Sequence, residues 1–180
     1  MTSPRRRGLL IVYTGDGKGK TTASLGCALR ALGHGWRICM VQFIKGTWKY
    51  GEIKSVAELG DHFELHRMGA GFYKILDDDQ PDEVHRQAVI RAVELIIEKL
   101  QSEAYDLVIA DELNVAMDTG LIDETAFRRI LEARPGHVHL IVTGRGAPDF
   151  LIEQADLVTE MREIKHPYHQ GMKAQPGIDY

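Results

Sequence analysis

Short apolar runs alternate with amphipathic stretches along this chain, and the alternation predicts the elements of its fold. The first run, residues 9–13, indicates a buried strand that ends at a glycine-rich loop. A helix-compatible stretch, 21–32, follows the loop and is stopped by Gly33-His34-Gly35. Further strands are predicted at 37–44, 63–68, 106–110, 138–142 and 157–163, and further helices at 52–59, 82–103, 123–133 and 149–154.

Continuous apolar strands that alternate with helices are typical of a mostly parallel sheet with helices on both faces. We therefore predict an α/β fold. The 180 residues suit one domain that spans 1–180. Ligands of such sheets bind beyond the carboxyl ends of the strands, so the segments after the strands are where we expect the chemistry.

The loop after the first strand, TGDGKGKTT at 14–22, resembles a phosphate-binding loop that is one residue short. The usual pattern is G-x-x-x-x-G-K-[ST], and Thr14 stands where its first glycine is expected. Glycines let backbone N–H groups approach phosphate oxygens, and the helix that begins here adds its positive end. Lys20 is predicted to supply a point charge and Thr21 a hydroxyl ligand for Mg²⁺. The predicted nucleotide-binding residues are Gly15, Asp16, Gly17, Lys18, Gly19, Lys20, Thr21 and Thr22.

Two acids and an arginine follow later strands. The apolar run 106–110 is followed by Asp111 and Glu112, where P-loop proteins hold Mg²⁺ directly or through water. The spacing does not choose between these two acids. Arg145, between two glycines after the fifth strand, is either a phosphate ligand or a solvated loop arginine. No residue near the loop stands out as a general base, although Glu112 could orient a water or hydroxyl.

Composition and charge narrow the function. Hydrophobic residues make up 44% of the chain and charged residues 27%, which is ordinary for a globular protein in water. The net charge of −4 gives no support to a nucleic-acid-coating role. No apolar run reaches the ~20 residues that a membrane span requires. Cys27 and Cys39 lie among apolar residues, so we expect two buried thiols in a reducing cytoplasm.

Five motifs occur in order along the chain: TGDGKGKTTASLG, VQFIKGTW, ADELN, ARPGHVHLIVTGRG and the tail KAQPGIDY. Together they resemble the ATP:corrinoid adenosyltransferases of the RecA-like P-loop type, enzymes of vitamin B12 biosynthesis and salvage. The resemblance runs from about Arg7 to Tyr180. It implies a RecA-like P-loop fold, in which the shortened loop is a feature that family members share.

The resemblance implies a reaction other than phosphoryl transfer. Members of the family are understood to bind ATP in the reverse sense, so that the loop grips the terminal phosphates and C5′ of the ribose faces the corrinoid. Cobalt(I) then attacks C5′, a Co–C bond forms and triphosphate leaves. On this view Lys20 and Arg145 are catalytic, because they stabilise charge on the leaving group. Mg²⁺ or Mn²⁺ would be held by Thr21 with Glu112 or Asp111.

The resemblance also implies the corrinoid contacts and the partners. Aromatic side chains pack beneath the corrin ring in this family, where they displace the lower ligand of cobalt. Phe72 matches that position, whereas Lys74 stands where tryptophan is expected and Tyr73 is a candidate to replace it. A homodimer and a reduced flavin or flavoprotein donor are implied. The cysteines favour the cytoplasm, and the net charge and the apolar runs favour neither nucleic acid nor membrane as a partner.

Two other functions remain open from the residues alone. An ordinary P-loop ATPase or kinase would yield ADP in place of intact triphosphate. A nucleotide- or corrinoid-binding carrier would bind its ligands without forming a light-sensitive product.

Overall fold

The computed structural model describes residues 7–44, 51–71, 73 and 80–180, and contains six strands in one sheet. The strands are β1 (Leu10–Thr14), β2 (Ile38–Gln42), β3 (Phe63–Arg67), β4 (Leu107–Asp111), β5 (His139–Thr143) and β6 (Leu157–Glu160). The α-helices are α1 (Lys20–Leu32), α2 (Gly51–Ala57), α3 (Asp82–Gln101), α4 (Leu113–Asp118), α5 (Glu124–Ala133) and α6 (Asp149–Gln154). Within these described ranges, 3₁₀ turns lie at Gly60–His62 and Pro167–Gln170.

All the strand pairs are parallel, and the order across the sheet is β3-β2-β4-β5-β1-β6. This confirms the predicted α/β fold and its parallel sheet. Every predicted element is present, but β6 ends at Glu160, earlier than predicted. The sequence reading missed α4, because six residues are too few to show a helical period.

The central strands β2, β4 and β5 are buried on both faces, since helices cover each side of the sheet there, whereas the edge strand β6 is exposed. Val108 and Ala110 of β4 belong to the larger core cluster, which they share with α3 and α5. Leu107 and Ile109, which alternate with them, belong to the smaller cluster beneath α1 and α2. This two-sided burial explains why the strands read as continuous apolar runs.

The strand order determines which loops meet. β1 lies next to β5, and β5 lies next to β4. Because all these strands are parallel, the segments that follow β1, β4 and β5 emerge side by side at one edge of the sheet. The glycine-rich loop, the acidic pair and Arg145 are therefore brought together by topology.

The two thiols differ, so the prediction of two buried cysteines holds only for Cys39. Cys39 is fully buried, and burial raises the pKa of its thiol to about 12. Cys27 is half-buried on α1, where its Sγ lies 3.2 Å from the hydroxyl oxygen of Tyr13. Among the described helices, none combines the length and the apolar character that crossing a bilayer demands.

Shortening a buried side chain of the central strand β4 should destabilise the whole domain. Ile109 is fully buried in β4, so Ile109→Ala is expected to lower the free energy of unfolding by about 2–5 kcal/mol in urea titrations. Ile164→Ala is the matched control, because that side chain is 82% exposed. Its effect should stay within about 0.5 kcal/mol. Equal losses in the two variants would contradict the described core.

Candidate active site

The glycine-rich loop joins β1 to α1 and packs against the chain that follows β6. The amide N of Gly17 donates to the carbonyl oxygen of Met161 at 2.6 Å, and the amide N of Met161 donates to the carbonyl oxygen of Thr14 at 2.8 Å. Gly15 has a φ of 90°, in the region that favours glycine. A Cβ atom on Gly15 or Gly17 would lie 2.6 or 2.7 Å from the Met161 oxygen. The loop therefore depends on glycine both for backbone conformation and for close approach.

Thr14 explains why the loop is short. This residue, which stands where the usual pattern has its first glycine, is the last residue of β1. Its hydroxyl oxygen accepts a hydrogen bond from the amide N of Ala147 at 3.3 Å. β1 thus includes the position at which the usual loop pattern begins, and only residues 15–19 remain to connect the strand to α1.

Lys20 reaches back into the centre of this loop. Its Nζ donates to the carbonyl oxygens of Gly15 at 2.6 Å and Gly17 at 2.8 Å. The side chain is buried, and burial lowers the pKa of its ammonium, while the charge of Glu112 acts in the opposite direction. Charged phosphate oxygens accept hydrogen bonds more strongly than carbonyls. The lysine is therefore placed to exchange a carbonyl partner for a phosphate.

Asp111 is buried behind the loop and ties four segments together. Its Oδ1 accepts hydrogen bonds from the hydroxyls of Thr21 at 2.9 Å and Thr143 at 2.8 Å. Its Oδ2 accepts from the side-chain amide of Gln42 at 3.2 Å. Asp111 thus fixes the Thr21 hydroxyl without itself lining the open cleft.

Glu112 is turned toward the cleft instead. Its φ of 64° is uncommon for a residue with a side chain and costs on the order of 1 kcal/mol. Its backbone N donates to the hydroxyl oxygen of Thr143 at 3.0 Å, which holds this turn at the start of α4. The structure therefore separates the two acids: Asp111 positions Thr21, and Glu112 lines the cleft beside it.

Arg145 spans the opening between two strand ends. Its Nη2 donates to the carbonyl oxygen of Asp16 at 3.3 Å. Its Nε lies 3.9 Å from Oδ1 of the Asp16 carboxylate. Gly144, with a φ of 131°, packs so closely on α4 that a Cβ atom would lie 2.9 Å from Cβ of Asn114. The glycine-flanked turn thus directs the arginine to the loop.

Lys20, Glu112 and Arg145 line one cleft of about 830 Å³, within the range of small-molecule sites. Nine predicted residues line it: Asp16, Gly17, Lys18, Gly19, Lys20, Thr21, Thr22, Glu112 and Arg145. A further group lies on the chain from the end of β6 onward: Glu160, Arg162, Glu163, His166, Tyr168, His169 and Asp179. The sequence reading gave these seven no role. Their one signal was the tail motif, which contains Asp179.

The aromatic residues predicted for the corrin ring lie elsewhere or outside the described chain. Phe72 and Lys74 are not among the described residues. Tyr73 is buried in the larger core cluster, where its ring centroid lies 5.0 Å from that of His85. The structure therefore does not bring Tyr73 into the cleft.

Within the described ranges, one set of metal-type donors lies apart from the cleft. Cys39, Glu64 and His66 place their ligand atoms within 4.8 Å of one another. The Glu64 carboxylate already accepts hydrogen bonds from Lys99, at 2.8 Å, and from the Tyr105 hydroxyl. The Glu64 carboxylate is thus paired with the Lys99 ammonium, and burial raises the pKa of the Cys39 thiol to about 12, so the charges of this cluster are balanced by protein groups.

The loop, its lysine and threonine, and the acids after β4 define a P-loop nucleotide-binding protein. Two solved structures share the fold. Flagellar accessory protein FlaH from Methanocaldococcus jannaschii superposes with a TM-score of 0.58 at 11% identity, covering 88% of this chain and 73% of its own. The RadB recombinase gives 0.56 at 15% identity, covering 92% and 79%. Such low identities show the fold alone, which is the predicted RecA-like P-loop fold.

Sequence similarity over nearly the whole chain identifies the family. Residues 6–180 match the family described as ATP:corrinoid adenosyltransferase BtuR/CobO/CobP. Corrinoid adenosyltransferase CobA of Salmonella typhimurium (strain LT2) and the corrinoid adenosyltransferase of Escherichia coli (strain K12) are each 42% identical over 176 residues, covering 97% of this chain and 86% of theirs. The Pseudomonas aeruginosa enzyme is 39% identical over 174 residues, covering 97% and 84%. The chain belongs to the ATP:corrinoid adenosyltransferase family, which confirms the predicted family and enzyme class.

A methyl group on the loop should weaken nucleotide binding. In Gly17→Ala the new Cβ would lie 2.7 Å from the Met161 carbonyl oxygen, so the loop must shift. We expect the affinity for ATP, measured by calorimetry, to fall about tenfold or more. Gly26→Ala is the control, since a Cβ atom there meets nothing within 4 Å. ATP affinity that is unchanged in Gly17→Ala would contradict the close packing of the loop.

Proposed function

We propose that the cleft beside the P-loop is where the 5′-deoxyadenosyl group of ATP passes to cobalt(I) of a corrinoid. In this reaction the C5′–O bond of ATP breaks while a Co–C5′ bond forms. The cobalt supplies the electron pair and becomes cobalt(III), and the former bonding pair leaves with triphosphate. The observation that carries the proposal is the convergence of Lys20, Thr21, Glu112 and Arg145 on one cleft, in a chain that belongs to this family.

The short loop supports the reversed orientation of ATP. With only residues 15–19 between β1 and α1, few amides are available to surround a phosphate chain. The orientation itself is proposed from family membership, in which the loop grips the terminal phosphates and the ribose extends away from it. Carbon C5′, rather than the γ-phosphorus, then faces the acceptor.

Catalysis in this arrangement rests on alignment and on charge. Cobalt(I) is already a strong nucleophile, so the reaction needs no general base. Lys20 and Arg145 are proposed to stabilise the negative charge that grows on the leaving triphosphate. One such preorganised donor typically contributes ~2.7–4 kcal/mol to lowering the barrier.

The donor set also fits a hard divalent cation. Thr21 offers a hydroxyl oxygen that is already hydrogen-bonded to Asp111, and Glu112 brings a carboxylate to the same cleft. Oxygen ligands of this kind suit Mg²⁺ or Mn²⁺. When bound, such an ion would neutralise part of the triphosphate charge. Thr21 and Glu112 are the proposed ligands, with Asp111 as their support.

The remaining context is proposed from family membership. Phe72 is proposed to pack beneath the corrin ring, and a reduced flavin or flavoprotein to supply the electron that generates cobalt(I). A homodimer in the cytoplasm is the proposed working form. Two rival functions are distinguished by product analysis. An ATPase or kinase would form ADP, and a non-catalytic carrier would form no product.

One assay tests the proposal directly. The protein is incubated with ATP and cob(I)alamin, and we expect visible absorption to report a light-sensitive alkylcobalamin together with an equal amount of intact triphosphate. Production of ADP in its place would favour the ATPase or kinase. Tight binding of both ligands without a photolabile product would favour the carrier.

Removing the loop ammonium should abolish most of this activity. Lys20→Ala is expected to lower turnover at saturating ATP by at least about a hundredfold, because a charge-stabilising donor is lost at the leaving group. Lys54→Ala, an exposed lysine on α2, is the control and should retain full activity. Near-normal turnover of Lys20→Ala would count against the role of this residue.

A further inference from the structure

The tail motif KAQPGIDY has no part in the reaction described above, yet the structure brings it to the P-loop. Residues 175–180 form a compact turn, in which the amide N of Asp179 donates to the carbonyl oxygen of Gln175 at 2.8 Å. The amide N of Gly177 donates to the carbonyl oxygen of Tyr180 at 2.8 Å, and Gly177 has a φ of 80°. The turn is thus a defined structure and offers a fixed support for Asp179.

The Asp179 carboxylate joins this turn to the loop. Its Oδ2 accepts a hydrogen bond from the backbone N of Gln175 at 2.8 Å. Its Oδ1 accepts from Nζ of Lys18 at 2.6 Å. Lys18 and the backbone N–H of Gln175 together hold the pKa of this carboxyl below its usual value, so the group is charged at neutral pH.

The contact lies at the edge of the proposed triphosphate site. Lys18 and Asp179 both line the cleft of about 830 Å³. Asp179 also lines a neighbouring cavity of about 450 Å³, together with Thr21, Thr22 and Tyr180. The tail turn therefore forms a wall beside the first residues of α1.

We propose that Asp179 is a positioning residue, which acts through Lys18 to prepare the loop for the triphosphate of ATP. This inference rests on the proposed role of the loop as the triphosphate site. Lysine is a compact charge on a flexible stem, and holding it costs rotamer entropy. The ion pair with Asp179 fixes Lys18 before the ligand arrives. It uses one of the three N–H groups of the ammonium and leaves two for phosphate oxygens.

Asp179 could also act on triphosphate binding in the opposite direction, by repelling the ligand, and this makes the inference testable. A carboxylate beside a polyanion repels it, so an Asp179 that merely neutralised Lys18 would weaken triphosphate binding. Removing its charge would then tighten binding. If Asp179 positions Lys18, removing the charge weakens binding, and the sign of the change decides between the two.

The experiment is a double-mutant cycle with inorganic tripolyphosphate as the probe, measured by calorimetry on the full chain. Asp179→Asn keeps an oxygen that can accept from the Gln175 amide but loses the charge that holds Lys18. We expect it to weaken tripolyphosphate binding about threefold to fivefold, and Lys18→Met to weaken it at least as much. In the Lys18→Met background, Asp179→Asn should change the affinity by less than about 1.5-fold, because its effect passes through Lys18.

Turnover supplies a second measurement that general damage to the fold would not reproduce. Asp179→Asn should raise the KM for ATP with kcat within about twofold of the parent value, as expected for lost binding that is uniform along the reaction. Glu153→Gln removes an equal charge from an exposed position on α6 and should leave both parameters unchanged.

Three results would overturn the inference: unchanged affinity in Asp179→Asn, tighter affinity, or an equal loss with and without Lys18. These results are distinct from failure of the proposed function. If the protein binds tripolyphosphate as expected but forms no alkylcobalamin, the proposed reaction is refuted and the inferred role of Asp179 stands. A parent protein that binds no tripolyphosphate would overturn both the loop assignment and this inference.

Discussion

The site depends on one buried carboxylate. Asp111 accepts hydrogen bonds from Thr21, Thr143 and Gln42, and each donor comes from a different element, α1, β5 and β2. A buried charge without partners is strongly unfavourable. The domain can bury Asp111 at the end of β4 only if these elements meet there. The same interactions that satisfy the carboxylate therefore fix the Thr21 hydroxyl and orient the backbone that presents Glu112.

A second constraint holds the loop from its other side. Backbone hydrogen bonds connect Gly17 and Thr14 to Met161, just beyond β6, so the loop is pressed between α1 and that segment. Close packing demands glycine at positions 15 and 17, and the continuation of β1 through Thr14 shortens the connection. A rigid, short loop suits a reaction in which the nucleophile is supplied by the substrate. The protein then contributes alignment and charge stabilisation rather than proton transfer.

The chain after β6 is as much a part of the cleft as the P-loop. It contributes charged and aromatic side chains along one wall, and its last turn reaches Lys18 through Asp179. The cleft thus mixes cations with acids instead of presenting a uniformly positive surface. Such a balance fits the proposed triphosphate ligand, to which the cations would offer directed hydrogen bonds.

The sequence alone identified the parallel α/β fold, the phosphate-loop motif and the family, because buried strands, glycine turns and the five ordered motifs are local patterns. It could not distinguish Asp111 from Glu112, since adjacent residues are separated only when the backbone turns at a φ of 64°. It could not show that Tyr73 packs in the core against His85, or that Lys18 meets Asp179. Those outcomes belong to the tertiary structure, because contacts between distant residues follow from strand order and helix packing, which no local period encodes.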